Sequence, residues 1–454
     1  MSRKIALAVI LHLMLAILFF GCGSPQGGLD PQNPVTITMW HNYGGQMKDT
    51  MDALIDQFND TVGREYGIII NVTSIQATKD QNEKLAMIAA DDPGAPDMPD
   101  IVTVYPAVAS GLADANLLAP LDDMFTEEEL SAYIPSFIDE GRLSDGKLYV
   151  FPISKSTEAL FVNKTLFDRF AKETGASLDS LFTFEGIAEL AQEYYAWTDA
   201  KTPYISNDGK TFFTADSWFN VAQVGISQLG GSFVENAQLN TDTEEFKKVW
   251  DFSFLPAIIG AYAISDGYSS DLAKTGEIIC STGSTAGILF YGDTVTYADN
   301  TKESVEYIVL PYPVFEGGRK VALQRGAGMA VAKSTAEKEL AATIFLKWFT
   351  SPAQNMRFVS STGYLPVTKE AFEDKMTEEI ETVDNPAVKK LLQTTTLMYG
   401  EYTFIVSPNF SGFTDLTNTY EKQIREAMRE GRQQVESGSD INSVSGEMYN
   451  LFIR

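Results

Sequence analysis

The chain has 454 residues, of which 44% are hydrophobic, and a formal net charge of −27 at pH 7. This length is too great for one ordinary hydrophobic core and favours two lobes, and the hydrophobic share excludes an intrinsically disordered chain. Such an acidic protein would be repelled by phosphate backbones, and no basic stripe offsets the repulsion, so nucleic acid is excluded as a partner.

Few side chains of the kinds that bind metals or act as nucleophiles are present. His12 falls in the N-terminal apolar stretch, which leaves His41, and the cysteines are Cys22 and Cys280. A zinc site of the Cys/His type cannot be assembled from them, and no GxSxG nucleophile turn occurs. The sequence therefore predicts no metal, no cofactor and no catalytic residue. A glycan hydrolase that uses paired carboxylates stays open, because acidic residues are abundant.

The N-terminus has the pattern of an export signal. Arg3 and Lys4 precede an uncharged apolar run over residues 5–20, and Gly21 and Cys22 follow it. A run of this length is short for a membrane-spanning helix and right for a signal peptide. The cysteine directly after a small residue resembles the bacterial lipoprotein signal.

That resemblance predicts a signal peptide over residues 1–21 and lipidation of Cys22, with palmitate among the acyl groups. Phe19 and Phe20 stand where such signals usually carry leucine and a small residue, so an uncleaved anchor is the alternative. Either form would be exported and held at the cell membrane, facing the periplasm or the outside. Residues 22–33 then form a flexible tether.

Strands and helices alternate over the first part of the mature chain. The β-branched run 35–40 predicts a strand, 46–59 an amphipathic helix, and 67–75 and 101–105 two further strands. This order predicts an α/β lobe whose ligand-binding loops lie at the carboxyl ends of its strands.

The ends of these strands carry aromatic and polar side chains. Trp40, His41 and Tyr43 lie at the end of the first strand, and Tyr105 at the end of the third. Each is a candidate ligand contact, while Trp40 and Tyr105 fit equally well as core aromatics and His41 as a structural histidine.

Residues 146–164 predict a crossing between two lobes. Apolar strands are expected at 148–151 and 159–162, and Pro152 between them cannot donate to a central ladder. The hydroxyls that follow, Ser154 and Ser156 among them, would then face a cleft. An ordinary hairpin with a Ser/Thr turn is the alternative.

Beyond this stretch the chain favours helices, which indicates a second lobe richer in helix. Residues 183–197 and 217–229 predict helices, the second beginning near Trp218. A Ser/Thr/Gly segment at 276–287 follows a predicted strand that holds Cys280, and its hydroxyls Ser281, Thr282 and Ser284 are candidate ligand contacts.

The last part of the chain predicts strands at 305–315 and 326–332, with Arg325 and Gly326 at the start of the second. Ser334 and Glu337 predict a capping box for the next helix. A later helix ends in a glycine turn that carries Tyr364, an aromatic with little reason to be buried within that helix.

In these segments, taken in order, the chain resembles the family 1 extracellular solute-binding proteins of ABC importers, a family that includes maltose-, other sugar- and glycerol-phosphate-binding proteins. The resemblance spans nearly the whole mature chain. The segments that carry it are VTITMWHNYGG, PDIVTVYPAVASGLADANLLAPLDD, GKLYVFPISKSTEALFVNKTLF, TFEGIAELAQ, QLGGSFV, GEIICSTGSTAG, IVLPYPVFEGGRKVALQRGAGMAVAKST and LKWFTSPAQNMRFVSSTGYLPVTKEAF.

The resemblance implies an α/β fold of the two-lobe, maltose-binding-protein-like type (type II), with lobes joined by hinge strands. The N-terminal lobe would take 34–146 and 304–350, and the C-terminal lobe 147–303 and 351–454. A monomer of this kind traps a carbohydrate by lobe closure and delivers it to the transmembrane subunits of an ABC permease. A ligand-loaded sensor that docks on a receptor is an alternative.

Carried over by matching position, Ser156, Ser284, Gly326 and Tyr364 would contact the ligand. The glycerol-phosphate branch expects a tyrosine and a glutamate where this chain has Ala77 and Pro106. A neutral sugar or oligosaccharide is therefore the expected ligand. The full set of predicted ligand contacts is Trp40, His41, Tyr43, Tyr105, Ser154, Ser156, Trp218, Ser281, Thr282, Ser284, Arg325, Gly326 and Tyr364.

Overall fold

The computed structural model describes residues 28–75, 77–410 and 412–453. The predicted signal peptide, the lipidation site Cys22 and most of the tether lie outside these residues. Within them no helix is both long and apolar enough to cross a membrane.

Strand positions follow the alternation of buried and exposed side chains. In β1 the side chains of Ile37, Met39 and His41 are buried, while Thr36 and Thr38 between them are exposed. The strands are β1 Val35–His41, β2 Ile68–Ser74, β3 Ile101–Val104, β4 Phe151–Pro152, β5 Glu158–Asn163, β6 Phe213–Ala215, β7 Val234–Glu235, β8 Gln238–Leu239, β9 Cys280–Ser284, β10 Thr294–Thr296, β11 Lys302–Ser304, β12 Tyr307–Leu310, β13 Val321–Leu323, β14 Gly328–Val331 and β15 Thr403–Ile405.

The larger strands form two sheets. The first has the order β2-β1-β3-β14-β4, with β1 parallel to β2 and β3, and β14 antiparallel to β3 and β4. The second has the order β12-β5-β9-β6, in which β5 is antiparallel to both neighbours and β6 is parallel to β9. Smaller pairs join β7 to β8, β10 to β11 and β13 to β15.

Helices lie between the strands along the whole described chain. The α-helices are Gly45–Phe58, Arg64–Tyr66, Thr78–Ala89, Pro106–Asp114, Glu127–Ser131, Pro135–Glu140, Lys164–Thr174, Phe184–Asp199, Trp218–Gln228, Glu244–Ile258, Ser269–Lys274, Ala336–Phe349, Pro352–Thr362, Met376–Thr382, Pro386–Glu401, Phe413–Glu436 and Ile441–Phe452. Short 3₁₀ or π turns lie at Asn59–Gly63, Leu121–Asp123, Leu178–Phe182, Thr285–Phe290 and Glu370–Lys375.

The chain crosses from the first sheet to the second where the sequence predicts it. Phe151–Pro152 is the edge strand of the first sheet, and Glu158–Asn163 is a central strand of the second. Pro152 is tolerated because its missing N–H falls on an edge strand. The crossing is therefore confirmed, and the hairpin alternative is wrong.

Two other segments pass beside this crossing and bond to it. The backbone of Ser156 exchanges hydrogen bonds with that of Arg325 (N···O 2.7 and 2.8 Å), and the backbone of Lys155 does so with Leu365 (2.6 and 3.0 Å). Gly326 has a φ of +108°, and a Cβ there would lie 2.8 Å from the carbonyl oxygen of Ser154. Glycine is thus required where these segments meet. We call residues 153–157, 323–327 and 364–367 the hinge segments.

The strand pairing divides the lobes differently from the sequence-based bounds. Strand β12 at 307–310 pairs with β5 in the second sheet, although the sequence assigns 304–350 to the first lobe. The helix Pro352–Thr362 lies against the helix Gly45–Phe58 of the first lobe, where Gln46 Nε2 donates to the Ser361 carbonyl oxygen (3.0 Å). The sequence-based lobe bounds differ from the structure because strand and helix propensities do not indicate which sheet an element joins.

One predicted helix cap is shifted by a residue. The helix Ala336–Phe349 is capped by Thr335, whose hydroxyl accepts from the Lys338 N–H, and not by Ser334. The Ser334 N–H instead donates to a carboxylate oxygen of Glu339 (2.9 Å). Adjacent hydroxyl residues offer equivalent caps in sequence, and the chain direction before the helix decides between them.

Candidate ligand-binding cleft

A cavity of about 1230 Å³ lies between the two lobes beside the hinge segments. Both lobes line it, the first through residues such as Tyr43 and Tyr105 and the second through Asp216 and Ser284. Arg325 and Tyr364 of the hinge segments face the same space. The carboxyl ends of β1, β3 and β6 all open on this cavity, as expected of an α/β fold.

Part of the predicted ligand contacts line this cavity. They are Tyr43, Tyr105, Ser284, Arg325 and Tyr364. The ring of Tyr364 packs on Phe358 (5.9 Å between centroids) and meets Tyr43 edge-on (6.2 Å). Burial raises the pKa of both tyrosine hydroxyls, so they stay protonated and can donate hydrogen bonds. Because these ring contacts fix their positions, Tyr43 and Tyr364 form one aromatic wall of the cavity.

The remaining predicted contacts do not line the cavity. Ser281 and Thr282 lie within β9 and not in a loop after it, because Cys280–Ser284 runs between β5 and β6. The Ser281 hydroxyl bonds the hydroxyl of Tyr291 (2.9 Å), which does face the cavity. Trp218 is 1% exposed and packs between Phe213 and Tyr262.

The others belong to the sheet or to the hinge segments. Trp40 packs against the apolar side of the first sheet, and His41 is fully buried. Ser154 and Ser156 are likewise buried, and Gly326 serves the close approach described above. The small hydroxyl residues Ser154 and Ser156 therefore allow the hinge segments to pack closely, and their side chains do not face the ligand.

Several polar residues that the sequence-based set omits do line the cavity. Asp216 directly follows β6, so the rule that ligand loops follow strands could have found it. Asn42 and Asn220 also line it, and Asn409 reaches across it, where its side-chain oxygen accepts from the Ser110 hydroxyl (3.1 Å). Asn409 lies in an irregular segment, and no periodicity marks it.

An ion pair between a partly exposed guanidinium and a buried carboxylate lies at the base of the cavity. Arg325 Nη1 donates to Glu158 Oε1 (2.8 Å), and Asn220 Nδ2 donates to the same oxygen (2.6 Å). Burial raises the pKa of Glu158, while Arg325 and Asn220 act in the opposite direction. Burial lowers the pKa of Arg325, but Glu158, Tyr105, Asp216 and Tyr364 together outweigh it, so the net shift is upward and the guanidinium stays charged.

The other cations of the cavity wall are paired as well. Arg142 contacts Asp122 (2.7 Å), and Lys274 contacts Asp271 (3.1 Å). In the part of the chain that the structure describes, every cationic side chain lining the cavity thus already faces a carboxylate. The same residues contain no cluster of three or more His, Cys, Asp or Glu side chains that could hold a metal.

A second ion pair fastens the hinge. Lys155 Nζ lies 2.8 Å from Glu140 Oε2, and both side chains are under 7% exposed. The ammonium also donates to the Gly326 carbonyl oxygen (3.3 Å), and the Gln324 amide donates to the same carboxylate oxygen of Glu140. The helix that ends at Glu140 is thereby tied to two hinge segments.

Residues 53–390 match the model of a family described as bacterial extracellular solute-binding protein. The chain belongs to this family. Members are binding proteins and not enzymes, so the prediction of binding without chemistry is confirmed, as is the family that the sequence resembles.

Relatives of this solute-binding protein fall into sugar-binding and glycerophosphate-binding groups. The sn-glycerol-3-phosphate-binding periplasmic protein of Escherichia coli is 24% identical over 368 residues, which is 75% of this chain and 76% of that protein. An ABC substrate-binding protein of Listeria monocytogenes, solved in complex with cycloalternan, is 18% identical with a TM-score of 0.67, over 92% of this chain and 98% of that one. UgpB of Mycobacterium tuberculosis, solved in complex with glycerophosphocholine, is 18% identical with a TM-score of 0.64, over 92% of this chain and 97% of that one.

These likenesses show the fold of this solute-binding protein. Its α/β, two-lobe, maltose-binding-protein-like architecture was predicted from sequence and is confirmed. The family is extracellular, and the Escherichia coli relative is named as periplasmic, which agrees with the predicted export.

His41 of this solute-binding protein is held neutral beneath the cavity wall. Its Nδ1 accepts the Tyr43 backbone N–H (3.2 Å), and its Nε2 lies 3.5 Å from Asp52 Oδ1. Burial lowers the pKa of His41, and the Asp52 carboxylate opposes the shift without reversing it. The imidazole therefore positions Tyr43 and offers no proton to a ligand.

Acidification is expected to destabilise the protein through His41. Its folded-state pKa lies below the ordinary 6.5, so the unfolded chain binds the proton more tightly and the free energy of unfolding falls as the pH drops below about that value. Imidazole proton shifts in the mature protein, which would retain only this histidine, measure the pKa directly. The His41→Asn variant keeps an acceptor for Tyr43 and should lose this part of the pH dependence. A His41 pKa above the ordinary value would contradict the expectation.

Proposed function

We propose that this protein captures an uncharged carbohydrate, a sugar or an oligosaccharide, and delivers it to an ABC permease. The observation that carries the proposal is the charge state of the cavity wall. The wall offers aromatic rings and uncharged polar side chains, whereas each described cation on it is already paired. A phosphate or carboxylate ligand would have to compete with an internal carboxylate for every one of these cations.

The wall supplies both kinds of contact that a sugar needs. The rings of Tyr43, Tyr105 and Tyr364 can stack on the apolar face of a pyranose, as aromatic side chains do. Asn220, Ser284 and the Asp216 carboxylate can bond hydroxyl groups around it. We include Asn42 and Asn409 as further candidates, and leave out Trp40, His41, Ser154, Ser156, Trp218, Ser281, Thr282 and Gly326.

The relatives allow both ligand classes, and the charge of the cavity favours one of them. The Escherichia coli relative is named for binding glycerol 3-phosphate, and the Mycobacterium tuberculosis protein was solved with glycerophosphocholine. The Listeria monocytogenes protein was solved with cycloalternan, a carbohydrate. Removing phosphate from water is costly unless a free cation receives it. The pairing of Arg325 with Glu158 therefore favours the carbohydrate group for this chain.

Delivery follows from differential binding to two arrangements of the lobes. A ligand that contacts both walls of the cavity binds the closed arrangement better and shifts the population towards it. The hinge segments are where such a rotation would be absorbed. The permease would recognise the closed face of a monomer, and the acylated Cys22 would hold that monomer at the membrane.

A panel of ligands tests the proposal. Protein lacking residues 1–21 is purified, the bound ligand is identified by mass spectrometry, and thermal shift is recorded with neutral mono- and oligosaccharides and with glycerol 3-phosphate. Stabilisation by a neutral carbohydrate without turnover is expected. Stabilisation by glycerol 3-phosphate alone, or release of a product, would overturn it.

Replacing Tyr364 with alanine should weaken binding of that carbohydrate at least about tenfold, because a ring at the centre of a binding surface commonly contributes 2 kcal/mol or more. Tyr204→Ala is the matched control, since Tyr204 is 99% exposed and lies away from the cavity. Affinities are measured by calorimetry on variants whose folded fraction has been checked. Equal affinities of the two variants would contradict the assignment of Tyr364.

A further inference from the structure

Glu158 places a carboxylate at a buried strand position that is usually occupied by an apolar residue. It opens β5, in which every side chain is buried, and it is itself 2% exposed. A lone buried carboxylate is costly, and this one is stabilised by Arg325 and Asn220. Its partner Arg325 comes from the hinge segment 323–327, 167 residues further along the chain.

Arg325 is the cation best placed to meet a ligand. Its side chain is 30% exposed and faces the cavity, and its backbone is fixed by the paired bonds to Ser156. A guanidinium has five N–H donors in a planar fork, which suits bidentate binding of phosphate or carboxylate. Its Nη1 nevertheless donates to Glu158, and the carboxylate of Asp216 also raises the pKa of Arg325. Two acidic groups thus act on one cation.

We propose that Glu158 is an internal counter-ion that excludes anionic ligands by occupying the guanidinium of Arg325. The inference rests on the proposed function, because it names the residue that keeps the ligand uncharged. An anion that meets the exposed N–H groups of Arg325 finds a guanidinium whose charge Glu158 already neutralises, and displacing Glu158 would leave a buried carboxylate without its cation. A neutral polyol pays no such cost, since it can bond the exposed N–H groups of Arg325 while the pair stays intact.

Glu158→Gln tests the inference with little change of shape. The amide oxygen of glutamine can still accept from Asn220 and Arg325, but the negative charge is gone. We expect inorganic phosphate and glycerol 3-phosphate to bind this variant at least about tenfold more tightly than the wild type, because a guanidinium without its counter-ion can form charge-assisted hydrogen bonds to the anion. The gain should shrink as salt is added. Calorimetry at low ionic strength measures both effects.

Two further variants separate this from a general change of charge. Asp139→Asn makes the same change on an exposed carboxylate of the cavity wall, one that pairs with no cation among the described residues, and should leave anion affinity within about twofold of wild type. Adding Arg325→Gln to Glu158→Gln should abolish the gain. An equal gain in Asp139→Asn, or a gain that survives loss of Arg325, would overturn the inference.

The wild type supplies a test that does not depend on Glu158→Gln. It should show no saturable binding of inorganic phosphate at concentrations on the order of millimolar. Wild-type phosphate binding that disappears with Arg325→Gln would overturn the inference even if Glu158→Gln does not fold. Failure of the proposed function looks different, because the wild type would then ignore neutral carbohydrates while Glu158→Gln still gained anion binding.

Discussion

Replacing Lys155 with alanine is expected to lower the free energy of unfolding by about 3–5 kcal/mol, because removing one partner of a buried ion pair leaves the other charge uncompensated. Glu140 would keep only the Gln324 amide as its donor, in a site where its side chain is 6% exposed. The backbone bonds of Lys155 to Leu365 do not depend on its side chain, so the loss is specific to the ammonium group. Urea denaturation measures the change.

A double substitution shows whether the loss comes from the stranded charge. In Lys155→Met with Glu140→Gln the pair is replaced by neutral groups, and the glutamine can still accept from Gln324. We expect this double variant to recover at least about 2 kcal/mol relative to Lys155→Ala, since buried pairs are often replaceable at little cost. A double variant as unstable as the single one would contradict the explanation.

An exposed pair of the same residue types is the matched control. Lys320 and Glu401 are 53% and 44% exposed and also form a salt bridge. Lys320→Ala should change the free energy of unfolding by less than about 1 kcal/mol, because solvent screens such pairs. If Lys320→Ala and Lys155→Ala were equally destabilising, burial would not be the cause.

The first lobe could be predicted from sequence because its signals are local. The alternation of β1 and the β-branched runs of β2 and β3 mark the strands, and Pro152 marks the edge where the chain leaves the first sheet. Tyr43 and Tyr105 follow from this, since both stand where strands of an α/β sheet end and ligand loops begin.

The site could be predicted only in part because its remaining features depend on distant pairs. Nothing local to the run EALFVN indicates that Glu158 is buried, since its partner Arg325 lies far along the chain. The Ser/Thr/Gly composition around Ser281 and Thr282 predicts a loop, yet these residues lie in β9, whose pairing with both β5 and β6 buries them. Sequence gives the residue types available, and the sheet order decides which of them reach the cavity.

The lobe to which a strand belongs also depends on residues far away in the sequence. Strand β12 could pair by propensity with either sheet, and only its antiparallel register with β5, Leu310 opposite Leu160, puts it in the second. The short strand β13 pairs with β15, which lies 80 residues or so further on, so the hinge region is assembled from parts that no local pattern links.

Trp218→Ala is expected to destabilise the protein by about 3–5 kcal/mol, the cost usual for removing a large aromatic from a core. Its ring is 1% exposed and packs against Phe213 (6.2 Å) and Tyr262 (6.1 Å). Phe213 belongs to β6 and Tyr262 forms a β-bridge with it, so these neighbours are fixed and the cavity left behind could not collapse easily. Urea denaturation again measures the loss, and Trp218→Phe should recover part of it.

The same variant separates a core tryptophan from a ligand-stacking one. The folded fraction of Trp218→Ala should bind carbohydrate within about threefold of wild type, because the ring lies behind the cavity wall and not on it. Tyr268→Ala is the matched control for stability, since Tyr268 lines the cavity but is 75% exposed, and we expect it to unfold like the wild type. A Trp218→Ala protein of wild-type stability that has lost its affinity would place this ring in the binding site after all. Closure would then have to move the helix Trp218–Gln228 towards the ligand, so that the second lobe adds this ring to the aromatic wall of Tyr43 and Tyr364.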